Sequence, residues 1–232
     1  MKRLTALAAA LWMSLPAAPV QAGPVVVELF TSQGCSSCPP ADAILHKLAK
    51  RDDVLPLALH VDYWDYIGWK DQFADPAHTQ RQKGYAAAGG RNMIYTPQMI
   101  VMGQDSIVGA DAIAVMDTVE KHRAAEPPVQ ISLQRSGENL TISLQPVPGR
   151  AKGPYRVHLV RFAPLKQVEI TRGELAGRRL GYANVVEEWR HLGEWKATED
   201  YSLTLPLKGS RPTAVLVQQP GHGPIVAAAK AD

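Results

Sequence analysis

Beyond the N-terminal segment, apolar residues first concentrate at Val25-Val26-Val27-Glu28-Leu29-Phe30, a β-branched run separated from Cys35 by the loop Thr31 to Gly34. The pattern predicts a strand, a turn and then a helix start. Ala41 to Lys50 sets Ile44, Leu45 and Leu48 on one helical face, and Val54 to Val61 returns as a second apolar strand. Strand, helix and strand at this spacing predict a βαβ unit with parallel pairing. Asp62 to Phe73 is dense in aromatics and Pro76 to Ala88 is polar with helical potential, so this stretch reads as an inserted, helical excursion. Tyr95 to Met102 is a strand opening on Pro97, with Ser106 to Gly109 as its hairpin partner. Ala110 to Arg123 follows as an amphipathic helix through Ile113, Val115, Met116 and Val119.

The pattern changes after Glu126-Pro127-Pro128, which breaks that helix. Val129 to Gln134, Leu140 to Leu144, Tyr155 to Phe162, Val168 to Ile170, Tyr201 to Leu205, Ala214 to Val217 and Ile225 to Ala228 read as short strands between Gly, Pro and Asn turns. Strands at such spacing predict an antiparallel sandwich or barrel. The expected architecture is therefore an α/β domain over 23–126 followed by an all-β, sandwich-like domain over 127–232.

The chain opens with Lys2 and Arg3, runs through the apolar Leu4 to Leu15 and reaches small residues before Gly23. That order predicts a secretory signal peptide over 1–22, too short to serve as a permanent membrane span. Removing it leaves 23 basic against 22 acidic residues. Such a balance argues against a dedicated nucleic-acid surface or a polybasic membrane patch, and after cleavage no membrane partner is expected. The two cysteines, Cys35 and Cys38, both remain in an export compartment that tolerates disulfides.

A cysteine at a helix start sits among unpaired backbone N–H groups and at the positive end of the dipole, both of which stabilise a thiolate. Cys35 is placed for that role, and Cys38, three residues on, for resolving a mixed disulfide. Structural disulfides and metal sites use the same spacing. The strand before the pair and the helix after it are what favour a redox site. His60 is either a third soft-metal ligand beside the cysteines or a packed, hydrogen-bonded strand histidine. Tyr63, Trp64, Tyr66, Trp69 and Phe73 form either a ligand-binding rim or core packing.

ELFTSQGCSSCPPAD, LHVDYWDYIGWKDQF, YTPQMIV and NVVEEWRHLGEW resemble the thioredoxin superfamily, and more closely an uncharacterised family of bacterial secreted proteins with a thioredoxin-like domain followed by a β-rich domain. The resemblance implies a thioredoxin-like fold for 23–126 and a secreted, periplasmic location. It further implies a thiol-disulfide oxidoreductase with Cys35 as nucleophile and Cys38 as resolving thiol. Thr96-Pro97 resembles the superfamily's substrate-binding element, in which a cis-proline opens the strand facing the disulfide; an ordinary trans proline is the alternative. Glu28 matches the superfamily's buried acid, a proton carrier beneath Cys38, or else lies at a solvated strand edge. Protein thiols or disulfides are the implied partners, and no cofactor is needed because the disulfide is the redox group. Gly34 stands where the superfamily carries tryptophan, and Ser36-Ser37 between the cysteines, so the direction of redox traffic is left open. A binding protein with a structural disulfide or a Cu(I) site is the alternative function.

Overall fold

The computed structural model describes residues 23–231, so the expected signal peptide over 1–22 lies outside the described residues. The first half holds β1 (Val25–Thr31), α1 (Pro39–Leu48), β2 (Val54–His60), α2 (Pro76–Ala88), β3 (Gln98–Val101), β4 (Asp105–Val108) and α3 (Ala112–Arg123). The second half holds β5 (Val129–Ser136), β6 (Asn139–Pro146), β7 (Tyr155–Glu169), β8 (Arg179–Trp195), β9 (Tyr201–Pro206), β10 (Thr213–Gln218) and β11 (Ile225–Ala231).

These strands form one mixed eight-stranded sheet in the order β11-β10-β7-β8-β2-β1-β3-β4, and a three-stranded sheet in the order β5-β6-β9. β1 and β2 pair in parallel across α1, the geometry their apolar runs predict. The expected fold class, a thioredoxin-like α/β domain followed by a separate all-β domain, is corrected by this topology. The chain is mostly β, and the second half extends the sheet begun by the first.

The join is made by β8, a strand missing from the sequence pattern because Glu187, Glu188, Arg190 and His191 interrupt its apolar positions. It pairs antiparallel with β7 from Tyr155↔Trp195 to Glu169↔Arg179, which fuses two short predicted strands into one. Its other edge meets β2 in parallel at Ala58↔Val185. Pro56 lacks the N–H that a longer ladder would use. Asn184, in the left-handed region at φ 49°, instead donates its side-chain amide to the Pro56 carbonyl at 2.8 Å.

Alternation along β1 divides the core. Val25, Val27 and Leu29 pack with Ala41, Leu45 and Leu48 of α1 and with Val115 and Val119 of α3. Val26 and Phe30 face the other way, toward Tyr85 of α2 and Val160, Phe162 and Leu216 of the second half. A third cluster fills the space between the three-stranded sheet and β7, β10 and β11 around Leu140, Ile142, Tyr155, Val157 and Val215. The excursion divides in two: Pro76–Ala88 is helical, whereas 62–73 is a chain of turns rather than a helix.

Candidate functional site

Cys35 and Cys38 are joined by a disulfide, with Cα atoms 5.4 Å apart. Cys38 is the N-cap of α1 and Pro39-Pro40 occupy its first positions, where a missing N–H costs nothing in helical bonding. The prolines have a second effect. They remove two donors from the helix start, while Ala41 and Asp42 N–H both donate to the Cys38 carbonyl. The expected cluster of free N–H groups is therefore absent from this turn, and the helix dipole is left as the helix's contribution to thiolate stabilisation.

Cys35 is 1% and Cys38 0% exposed, so both sulfurs of the pair are covered. Ser36 and Ser37 form the exposed rim instead, and Ser37 Oγ lies 3.4 Å from Cys35 Sγ. Gly34 explains part of the enclosure. A Cβ there would meet Trp64 Cβ at 3.2 Å and Ile67 Cδ1 at 3.3 Å, so the aromatic segment closes directly over the residue before Cys35.

That segment also ties the cysteine loop to Thr96-Pro97. Trp64 Nε1 donates to Thr96 Oγ1 at 2.7 Å, and Gln82 Nε2 donates to the Tyr95 carbonyl and to Gln98 Oε1, each at 2.7 Å. The Thr96–Pro97 peptide is cis. Gly109 marks how closely this strand opening approaches α1: a Cβ on it would lie 3.1 Å from both Ala41 Cβ and Pro97 Cβ. Of the aromatics, Tyr66 is exposed, while Trp69 Nε1 donates to Gln33 Oε1 at 2.8 Å. The stretch thus forms a cover over the loop that leads into Cys35.

Glu28 is not beneath Cys38. It shares the Val26–Phe30 face of β1, opposite to α1, and is fully buried against α2. Its carboxylate accepts from Arg81 Nε at 2.5 Å and Nη2 at 3.1 Å, and from the Tyr85 hydroxyl. The Arg81 guanidinium also lies over the Trp189 ring at 3.9 Å and donates to Gln218 Oε1 at 3.1 Å, which ties α2 to the second half.

The acid on the cysteine side is Asp42, a residue that sequence reasoning missed. It lies one turn after Cys38, and it is buried. Thr31 Oγ1 donates to its Oδ1 at 2.9 Å. Burial pushes the Asp42 carboxyl up to about 7, only partly opposed by the charge of His60 and the Thr31 hydrogen bond. The i, i+4 spacing from Cys38 was the available signal; its burial by β1 and β2 was not.

His60 is the register partner of Thr31 on β2 and is fully buried. Its Nδ1 lies 2.7 Å from Asp71 Oδ2, its ring packs edge-on against Phe73 and Tyr182, and its Nε2 has no hydrogen-bond partner. The packed, hydrogen-bonded alternative therefore describes His60. Among the described residues no group of three or more His, Cys, Asp or Glu is disposed to hold a metal ion. Asp71 also accepts from Gln33 N–H and Phe73 N–H, each at 2.8 Å, and so staples the cover to the cysteine loop.

Comparison with known proteins reaches fold more than chemistry. A family described as "Protein of unknown function (DUF1223)" matches residues 26–218. The crystal structure of protein AGR_C_4864 from Agrobacterium tumefaciens is similar at 34% identity and a TM-score of 0.77, over 90% of this chain and 94% of that one. HBP35 of Porphyromonas gingivalis, at 15% identity and a TM-score of 0.67 over 90% of this chain and 75% of that one, is a likeness of fold alone. No curated protein matches the chain.

Proposed function

We propose, from the premise that this chain belongs to the DUF1223 family, that it is a thiol-disulfide oxidoreductase acting on protein thiols or disulfides in the bacterial periplasm. The observation that carries this reading is the disulfide at the start of α1, bordered by exposed Ser36 and Ser37, with a protonatable acid one turn below. A pair held one helical turn apart suits stepwise exchange, because the second sulfur stays within reach of a mixed disulfide formed on the first. Cys35, nearer the rim, is assigned as nucleophile and Cys38 as resolving thiol. Thr96 and Pro97, held beside α1 through Gly109, are assigned to the substrate segment. The reading takes from the thioredoxin superfamily its site chemistry and not its fold.

Trapping tests it. In a Cys38→Ser variant the Cys35 thiolate attacks a partner and nothing resolves the product, so mixed disulfides with envelope proteins are expected to accumulate; Cys35→Ser is expected to trap little. The purified pair is expected to equilibrate with dithiol buffers at a potential within about −270 to −120 mV. Burial of both cysteines favours a second reading, a structural bond in a binding protein. A potential below about −300 mV, with no adducts from either variant, would establish that reading in place of the first.

A further inference from the structure

We propose that the cleft where the two halves of the large sheet part, away from the disulfide, is a binding site for a small organic anion with an oxyanion head on an apolar body. β2 and β8 share the single register pair Ala58↔Val185, so their ladder does not reach Val54–Pro56. Side chains of the second half answer the β2 carbonyls there instead. Asn184 Nδ2 donates to the Pro56 carbonyl at 2.8 Å, and Lys230 Nζ to the Val54 carbonyl at 3.4 Å. Prolines keep the gap from closing. Pro56 on β2, Pro164 on β7 and Pro212 just before β10 all line it, and none has an N–H with which to extend a ladder across. The space left is about 350 Å³, at the small end of the range of about 300–1,000 Å³ usual for ligand cavities.

The charge of the lining has one sign. Arg135 of β5, Arg211 and Lys230 of β11 border the cleft, and among the described residues no Asp or Glu does. Arg135 Nη2 donates to the carbonyls of Leu207 and Gly209, and Lys230 to that of Val54, so neither charge meets a carboxylate of the described residues within ion-pair distance. Arg211 Nε lies 2.8 Å from Glu187 Oε2, a side chain that Lys166 shares at 2.6 Å. Asp53, beside Val54 in the chain, is taken up by Arg51 at 2.7 Å. Arg161 adds a further positive charge behind the 207–210 loop. Its Nη2 donates to the Lys208 carbonyl at 2.8 Å, its Nε is buried without a hydrogen-bond partner, and Glu188 stands 3.8 Å from its Nη1. An oxyanion among Arg135, Arg211 and Lys230 supplies the counter-charge that the fold leaves out, and it is received by side chains because the prolines leave few backbone donors. Leu55, Phe162 and Pro164 offer the contact for an apolar body.

The experiment is calorimetric titration of the full chain at low salt, with sodium octanoate as the probe. One saturable site is expected. Octanol, which has the body without the charge, and acetate, which has the charge without the body, are each expected to bind at least about tenfold more weakly. Raising the salt to about 0.5 M should weaken octanoate severalfold. Lys230→Met removes the charge and keeps the stem, and Arg135→Gln removes the charge and keeps a donor for the Gly209 carbonyl; each is expected to weaken octanoate about tenfold. If Arg135→Gln does not fold, Lys230→Met decides alone. The proposal is overturned if octanoate shows no saturable binding, if octanol or acetate matches it, or if the folded Lys230→Met variant binds octanoate as wild type does.

Discussion

Asp42 and Glu28 show how position in the sheet decides what a carboxyl does. Both are buried acids close to the cysteine motif in sequence, yet Glu28 meets a guanidinium and Asp42 a threonine hydroxyl, with the His60 charge acting on it through space. The consequence for Asp42 is measurable in stability. Its folded value, about 7, lies above its ordinary 3.8, so between these pH values the native state keeps a proton that the unfolded chain has released. Its contribution is complete below pH 3.8 and is lost as pH rises toward 7, a loss on the order of a few kcal/mol. His158 acts in the opposite sense. Burial first, then the nearby Arg81 charge, pulls it down to about 3, and Trp189 Nε1 donates to its Nδ1 at 3.1 Å. It therefore removes stability as pH falls from 6.5 toward 3. Denaturant titrations at pH 4, 5.5 and 7 are expected to flatten on the rising side in Asp42→Asn and on the falling side in His158→Gln.

Among the elements, α2 carries the least apolar face of the three helices and is held mainly by polar contacts. His78, Arg81, Gln82 and Tyr85 are all buried. Arg81 reaches Glu28 on β1, Gln218 on β10 and the ring of Trp189 on β8, so one guanidinium spans three strands of the large sheet. Removing one partner of such a pair leaves the other charge buried and uncompensated. Glu28→Gln is expected to cost about 3–5 kcal/mol of stability, while the exchange rate of the folded fraction stays at the wild-type value. Calorimetry with a parallel dithiol assay checks both halves. A slowed rate in fully folded protein would return Glu28 to the proton-carrier role. The helix itself was visible in the sequence as the polar stretch Pro76 to Ala88; the Arg81 partners on β1 and β10, 53 and 137 residues away in sequence, were not.

At the scale of the molecule, the site is supported by both halves of the chain. Tyr182 of β8 packs on the His60 ring, and the β2 edge that carries His60 is completed by β8. A fragment over 23–126 would leave β2 as a bare edge and would expose Leu55, Leu57 and Leu59, which pack against Val160, Phe162 and Leu216. Such a fragment is expected to lack a cooperative thermal transition and to self-associate, as circular dichroism and light scattering would report. The local elements were legible because their causes are local. Apolar alternation and β-branching made β1 and β2, prolines placed the start of α1 beside Cys38, and a polar stretch opening on Pro76 made α2. The Cys35–Cys38 pairing at a strand-to-helix turn was legible for the same reason. What the sequence left open was everything set by which strand lies beside which. A polar-looking β8 became an interior strand because β7 and β2 satisfy its backbone. The face of β1 decided that Glu28 is an ion-pair partner, and the meeting of β1 and α1 decided that Asp42 is buried against the Thr31 hydroxyl. Those outcomes depend on desolvation and on partners far along the chain, and only the tertiary structure brings them together.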